Sequence, residues 1–352
     1  SPVESLPALD IDWSTENPGG VAFYQSVPTL HIVLPGEAGV DTDEYDEHVI
    51  AHEFGHYVED SFSRSDSIGG PHGGGDLLDM RVAFGEGYGY AFGAIALNNP
   101  VTRDSFGLGQ TSDGNFNVEG NTWARPGWFS EASNWSILWD LFDAANDGPD
   151  TVALGFASLW AVLTDEQRSA EAFTGIFPFI TALKQRNPAQ AAQIDQIVSS
   201  QDIVAASVDA YGATESNAGG AATSADVLPV YTTVQLDGAA QTVQSVGTVQ
   251  GITGDGGNKL SNHRYLRLNI SMQRNVRFRV SAPAGRDADI FIVRQGSIID
   301  VGRAPANEDF TVLNMPAGNY VLNVHDCENA ECSDAPSYDK QPTPITVQVT
   351  SN

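Results

Sequence analysis

The segment HVIAHEFGHYVED, residues 48–60, contains the pattern His-Glu-x-x-His, formed by His52, Glu53 and His56. Residues four apart lie on one face of an α-helix, so the two imidazoles can bind one metal ion. The carboxylate of Glu53 can then reach a water molecule beside that metal. The pattern predicts a zinc-binding helix, but it does not specify a protease by itself because its filler positions are free.

A catalytic zinc site needs a third protein ligand and one position left for water. The residue six positions after His56 is Phe62, which excludes the third histidine of the metzincin arrangement. Residues 76–100 are predicted to form a second helix, which offers Glu86, thirty positions after His56. Glu86 is therefore the predicted third ligand.

The second predicted helix contains several glycines, although a glycine inside a helix costs about 0.5–1 kcal/mol relative to alanine. Three of them recur every four residues and form a smooth strip on one face. Another helix can approach such a strip closely, as it must if Glu86 is to reach a metal on the first helix. The strip consists of Gly85, Gly89 and Gly93, and Gly87 is a fourth glycine.

The sequence VIAHEFGH followed by AFGEGYGYAF resembles the gluzincin metallopeptidases, in particular their fungalysin-type and thermolysin-like branches. SNWSILWDLFDAAN is also similar to a later helix of fungalysin-type enzymes, and the likeness covers about residues 40–145. The resemblance implies that His52, His56 and Glu86 hold zinc, which activates water and polarises the scissile carbonyl. It implies that Glu53 is the general base that passes the water's proton to the leaving amine.

Two features of the family are missing. The Asp that follows the ligand Glu by four residues, and orients a ligand histidine, is replaced by Tyr90. Asp79, two helical turns before Glu86, is the predicted substitute. The downstream histidine that stabilises the oxyanion in thermolysin-like enzymes also has no counterpart here. We expect a tyrosine hydroxyl instead, with Tyr88 favoured and with Tyr57, Tyr90 and Tyr211 as alternatives.

Two further residues, His72 and Glu131, bear on how a substrate would bind. His72 lies in the glycine-rich stretch GGPHGGG, residues 69–75, which is either a lid over the site or a slack connection. Glu131 could anchor a free N-terminus and would then favour aminopeptidase action. Because nothing clearly marks such an anchor, endopeptidase action is the preferred prediction. The strand LHIVLP, residues 30–35, is the expected edge strand for the substrate backbone.

The chain changes character in its second half. Residues 131–212 have mainly helical periodicity, and residues 213–228 are small and polar, as in a linker. After them, NVRFRV and PITVQVT alternate apolar and polar residues, which predicts an antiparallel β-sandwich. The predicted domains are therefore a catalytic domain, residues 1–212, and an accessory domain, residues 229–352, which resembles pre-peptidase C-terminal domains of exported bacterial proteases.

Charge and cysteine content restrict partners and location. The formal net charge is −28, and residues 1–225 hold 7 Lys/Arg against 32 Asp/Glu, so nucleic acid and anionic lipid are not expected partners. Such acidity is compatible with calcium binding, although no EF-hand-like loop occurs. No apolar run approaches the roughly 20 residues that span a bilayer. Cys327 and Cys332 are predicted to form a disulfide, as in a secreted or periplasmic protein, with a metal or redox pair as the alternative.

The sequence thus predicts an α+β protein with a small N-terminal sheet, a mainly helical zincin-type catalytic domain and a C-terminal antiparallel β-sandwich. The predicted function is that of a secreted zinc metallopeptidase acting on peptides or proteins, and the oligomeric state is left open. The alternative is a non-catalytic scaffold stabilised by zinc, whose β-module binds protein or carbohydrate.

Overall fold

A small three-stranded sheet opens the chain in the computed structural model, which describes residues 6–17, 21–144, 148, 150–249, 256–332 and 341–352. Its strands are β1 (Asp10–Ser14), β2 (Phe23–Gln25) and β3 (His31–Pro35), in the order β1-β3-β2. β3 pairs with β1 in parallel and with β2 antiparallel. The strand expected at the edge, LHIVLP, is therefore the central one, and that prediction is wrong. The edges of the sheet are β1 and β2.

Six α-helices follow in the described residues. They are α1 (Glu47–Phe62), α2 (Met80–Leu97), α3 (Glu131–Phe142), α4 (Gly155–Val162), α5 (Ile176–Arg186) and α6 (Ala191–Ser200), with a π-helical turn at Leu163–Gln167. Two short hairpins lie between α2 and α3. They pair β4 (Val101–Thr102) with β7 (Phe116–Asn117) and β5 (Ser105–Phe106) with β6 (Ser112–Asp113).

Helix α2 lies between α1 and α3, and its glycines allow both contacts. A Cβ on Gly89 would lie 2.8 Å from the imidazole of His52 in α1, and one on Gly93 would lie 3.3 Å from the His52 backbone nitrogen. On the other side, a Cβ on Gly87 would lie 2.4 Å from the Cβ of Asn134 in α3. The prediction of a smooth strip for close helix approach is confirmed, and the fourth glycine serves the second neighbour.

The C-terminal part is a β-sandwich of a five-stranded and a four-stranded sheet. Their orders are β13-β12-β15-β10-β8 and β14-β11-β16-β9. The strands are β8 (Tyr231–Val234), β9 (Gln241–Ser245), β10 (His263–Ile270), β11 (Arg274–Ser281), β12 (Ala288–Arg294), β13 (Ser297–Gly302), β14 (Glu308–Met315), β15 (Gly318–Asp326) and β16 (Thr343–Ser351). Alternating residues of both sheets meet in one apolar core. The pairing is antiparallel as predicted except between β8 and β10, which run parallel.

The helices and the sandwich share a hydrophobic core. Tyr231 and Tyr265 of the sandwich belong to the same buried cluster as Phe173 and the helix residue Phe177. The segment 213–228, predicted as a linker, is packed between the two parts: Asn217 donates to the Pro126 carbonyl at 2.9 Å, and its own carbonyl accepts from Trp128 at 2.9 Å. The Asp226 carbonyl of the same segment accepts from Ser261 and Arg264 of the C-terminal part, so the segment contacts both halves.

Three coarse predictions agree with this structure. The chain is α+β with a β-rich C-terminal part. Cys327 and Cys332 form a disulfide at the end of β15. Within the described residues, no helix has both the length and the apolar character that crossing a bilayer requires.

Candidate metal centre

Helices α1 and α2 bring three side chains from the sequence prediction together. The Nε2 atoms of His52 and His56 are 3.0 Å apart, and each lies 3.3 Å from Oε2 of Glu86. A tetrahedral zinc ion with bonds of about 2.0–2.1 Å separates its ligand atoms by about 3.3 Å. The three atoms therefore have the spacing that a shared zinc ion would require.

The electrostatics of the three groups also fit a cation. Burial raises the pKa of the Glu86 carboxyl, but the two histidines outweigh it and hold that pKa well below its usual range. Burial lowers the pKa of His56, but Glu86 outweighs it and raises the pKa to about 9. Two ring nitrogens that face each other across 3.0 Å need a proton or a cation between them. A metal ion supplies that charge and fits the donor set of two imidazoles and a carboxylate.

Glu53 lies beside this cluster at the wall of a cavity. The cavity has a volume of about 260 Å³ and is also lined by His52, His72 and Tyr90. The Tyr90 ring packs against the His52 imidazole with their centroids 4.1 Å apart. Tyr90 thus covers His52 at the position where the families that the sequence resembles carry an aspartate.

A second cavity also borders the cluster. Its volume is about 370 Å³, and His56 and Glu86 form part of its wall. Residues 24–27, from β2 and the turn after it, line this cavity, whereas Val21 and Ala22 line the first one. The strand β2 therefore borders the second cavity, and the residues just before it border the first.

The sequence prediction missed a histidine–carboxylate pair at the site. Nδ1 of His72 lies 2.8 Å from Oε2 of Glu131, and Nε2 of His72 lies 3.2 Å from Oε2 of Glu86. Burial lowers the pKa of His72, but the hydrogen bond to Glu131 and the charge of Glu86 outweigh it and raise the pKa to about 9. The loop between α1 and α2 carries His72, whereas Glu131 is the first residue of α3. No local sequence pattern relates two residues 59 positions apart.

Glu131 has a different environment from the one expected of a substrate anchor. It is 1% exposed, and its carboxylate is engaged by His72. Burial raises the pKa of Glu131, and the contact with His72 opposes that shift. The anchor role that kept aminopeptidase action open has no support in these contacts.

Glu59 is a second missed carboxylate. It lies one helical turn after His56, is 2% exposed, and interacts electrostatically with the His56 imidazole. Burial raises its pKa to about 7. The sequence does contain a signal for Glu59, because the residue three positions after the second histidine of HExxH shares the helix face of that histidine.

Two predicted residues do not join the cluster. The Tyr88 hydroxyl is buried in the hydrophobic core without a hydrogen-bond partner, and Tyr88 lines neither cavity. Asp79 precedes α2 as its N-cap and accepts hydrogen bonds from Arg81 and from the Tyr265 hydroxyl. The predicted roles of Tyr88 in oxyanion stabilisation and of Asp79 in orienting a ligand histidine therefore have no support in these contacts.

Two other groups of metal-ligating types occur in the described residues. Asp41, Asp43 and Asp104 place carboxylate oxygens within 4.8 Å of one another, and such oxygen donors suit calcium. Calcium stays a prediction, and this is the place where it could bind. Asp289 and His325 lie beside Cys327 and Cys332, whose sulfur atoms are joined in the disulfide.

No protein-family model matches the chain, and no curated protein does either. Among solved structures, the chain is similar to the pre-peptidase C-terminal domain of a collagenase from Bacillus anthracis, with 13% identity and a TM-score of 0.24, over 34% of this chain and 93% of that domain. It is also similar to CorA, a surface-associated copper-binding protein of Methylomicrobium album BG8, with 10% identity and a TM-score of 0.25, over 35% and 98% of the two chains. A periplasmic lysozyme inhibitor of Aeromonas hydrophila matches at 10% identity with a TM-score of 0.22, over 35% and 97%. Likenesses this distant carry no argument about function.

Proposed function

We propose that the protein is a zinc-dependent peptidase of the gluzincin type, with His52, His56 and Glu86 as the metal ligands. One observation carries the proposal: the three ligand atoms lie 3.0–3.3 Å apart at the walls of two cavities, and Glu53 lines the first of these. A structural zinc site is closed by four protein ligands. Three ligands beside open cavities fit a catalytic site better than a scaffold.

Zinc, when bound, supplies a Lewis acid and lowers the pKa of a water molecule towards about 7. The chain supplies the proton transfers and the binding. Glu53 is 7% exposed and reaches the first cavity, where it can take the proton of the attacking water. The same carboxyl then protonates the leaving amine.

His72 takes the role in oxyanion stabilisation that was predicted for Tyr88. Its Nε2 faces the ligand cluster, and Glu131 holds its Nδ1 at 2.8 Å. The carboxylate accepts from Nδ1 and fixes the ring orientation. Because the hydrogen bond to Glu131 and the charge of Glu86 raise the pKa of His72 to about 9, the ring is protonated near neutral pH, and Nε2 then also carries a proton that it can donate. Donors of this kind act on the charge that develops on the substrate oxygen.

The substrate is an extended peptide, bound with strand β2 as its partner. β2 pairs with β3 on one side only, and an extended chain can add to a free strand edge through backbone hydrogen bonds. Two cavities border the ligands, one lined by His52 and the other by His56 and Glu86. An extended chain that occupies both would continue past the scissile bond in both directions, as endopeptidase action requires. The disulfide supports an exported protein.

The test compares the wild type with Glu53→Gln on an unfolded protein such as casein, with both at one zinc per chain. We expect at least a hundredfold loss of kcat/KM with unchanged zinc content, because Glu53 is not a ligand. Glu47→Gln, an exposed glutamate on the same helix, is the matched control and should keep full activity. Equal cleavage by wild type and Glu53→Gln would refute the mechanism. Zinc binding without cleavage of casein or of a peptide library would favour the scaffold alternative.

A further inference from the structure

We propose that the β-sandwich is a working part of the metal site, because its segment 256–261 holds the loop that carries His72. Lys259 is the positioning residue of this contact. The inference rests on the proposed function and adds to it a role for a domain that was expected to be accessory.

The loop between α1 and α2 is tied to the sandwich just before His72. The side-chain amide of Asn258 donates to the carbonyl of Gly69 at 2.8 Å and to that of Pro71 at 3.0 Å. The ammonium of Lys259 donates to the same Pro71 carbonyl. Pro71 directly precedes His72, so these bonds fix the backbone at the point where the histidine side chain departs.

The loop is tied again just after His72. Lys259 Nζ lies 2.8 Å from Oδ2 of Asp76. The backbone nitrogen of Asp79 donates to the Asn258 carbonyl at 2.8 Å, and that of Leu260 donates to the Leu77 carbonyl at 2.9 Å. The same segment therefore fixes the start of α2, the helix that carries Glu86.

The composition of the loop and the burial of Lys259 both indicate that these hydrogen bonds hold the loop in one conformation. Residues 69–75 contain five glycines, whose backbone is less restricted than that of other residues, so the loop needs outside contacts to hold one conformation. Lys259 is 1% exposed, and a buried ammonium is costly unless it is paired. A methionine would fill the same space without that cost. The ammonium of Lys259 binds the Pro71 carbonyl before His72 and the Asp76 carboxylate after it.

A double-mutant cycle on the full-length chain tests whether Lys259 acts through His72. The variants are Lys259→Met, His72→Ala and the double variant, and the readouts are kcat and KM on the casein-derived peptide that the wild type cleaves best. We expect His72→Ala to lower kcat about a hundredfold. Lys259→Met should lower kcat about tenfold with KM within twofold, and the double variant should equal His72→Ala. A purely structural role of Lys259 would make the two losses multiply, and that result would overturn the proposal.

Arg264→Met is the matched control. Arg264 is another buried cation of the sandwich, but it donates to the carbonyls of Asp226 and Pro229 rather than to the His72 loop. Its loss should leave kcat within twofold of the wild type and should multiply with the effect of His72→Ala. A loss of kcat as large as that of Lys259→Met would show that general loosening of the sandwich is sufficient, which would also overturn the proposal.

Hydrogen exchange of the loop provides a readout that does not need activity. In zinc-free protein, amides of residues 69–76 should exchange at least ten times faster in Lys259→Met than in the wild type or in Arg264→Met. Unchanged exchange would overturn the inference even if no substrate is found. If wild type cleaves and Glu53→Gln does not, but His72→Ala is fully active, the proposed peptidase stands and this inference fails.

Discussion

The substitution Gly89→Ala should weaken zinc binding while changing the stability of the zinc-free protein only slightly. An ideal Cβ at this position would lie 2.8, 2.9 and 3.1 Å from three atoms of the His52 imidazole. Carbon contacts are normally about 3.5–4.0 Å. The ring would therefore have to move by about half an ångström or more, and this ring is a proposed zinc ligand.

Two effects of Gly89→Ala on the stability of the zinc-free protein oppose each other. Replacing a helical glycine by alanine gains about 1 kcal/mol. Inserting a methyl group into a packed contact costs about 1–3 kcal/mol. The free energy of unfolding should therefore change by less than about 2 kcal/mol. Zinc affinity should fall about 10–100-fold, as it does when the support of a ligand histidine is lost.

The assay is a zinc titration against a competing chelator, combined with urea unfolding of the zinc-free variants. The matched control is Gly85→Ala, one turn earlier on the same face of α2. There a Cβ would meet its nearest atom, Cβ of Ser67, at 3.4 Å, which is an ordinary contact. This variant should gain about 0.5–1 kcal/mol of stability and keep its zinc affinity. Equal zinc affinity of the two variants would refute the idea that close packing of α1 on α2 fixes the ligand ring.

Three other predictions concern stability and the rejected oxyanion residue. Burial, followed by the charge of Asp41, raises the pKa of Asp43 to about 8. Its folded-state pKa thus lies above the unfolded value, so in EDTA this group's contribution to stability should be present at about pH 4 and be lost as the pH rises towards 8. Urea unfolding at several pH values should show a smaller fall for Asp43→Asn, and an equal fall would contradict the assignment. Tyr88→Phe removes a buried hydroxyl without a partner, so it should keep kcat within twofold and gain up to about 1 kcal/mol, whereas a hundredfold loss of kcat would restore the catalytic role of Tyr88. Replacing Cys327 and Cys332 by serine should lower the free energy of unfolding by about 2 kcal/mol, because the disulfide closes a short loop, and an unchanged urea midpoint would count against this.

The proximity of His52, His56 and Glu86 could be predicted because it depends on local periodicity. His52 and His56 share a helix face by their spacing, and the glycine strip indicates which face of the next helix meets them. The same rule separates Tyr90 from Tyr88. Tyr90 follows Glu86 by four residues and shares its face, whereas Tyr88 follows by two and points away towards the core. Helical spacing therefore favours Tyr90 over Tyr88 as the tyrosine that faces Glu86.

Asp79 was misplaced for a related reason. A spacing of seven residues puts Asp79 on the face of Glu86 only if the helix extends that far, but α2 begins at Met80. Asp79 is the N-cap, and its carboxylate accepts from the backbone of Arg81. Aspartate is a favoured N-cap residue, so the start of the helix was the better interpretation of the sequence.

The contacts that reach the site from outside α1 and α2 could not be predicted from local patterns. His72 comes from a loop without periodicity, and its position depends on α3 and on the sandwich. The small, polar composition of residues 213–228 predicted an interdomain linker, but composition says nothing about what packs against a segment. Asn217 within it contacts both Pro126 and Trp128.

The position of α2 explains why the β-sandwich can affect the proposed metal site, which contains none of its residues. This helix is buried on nearly every side: α1 and α3 cover two faces, and its first turn contacts the sandwich through Arg81 and Asp79, which meet Tyr265. Arg81 and Asp79 are buried and paired with each other, so moving one of them away would leave a buried charge without its partner. A displacement of Tyr265 would therefore act on the start of the helix that carries Glu86. We conclude that residues that determine the geometry of the site extend into the second half of the chain, where no cluster of catalytic groups occurs in the sequence.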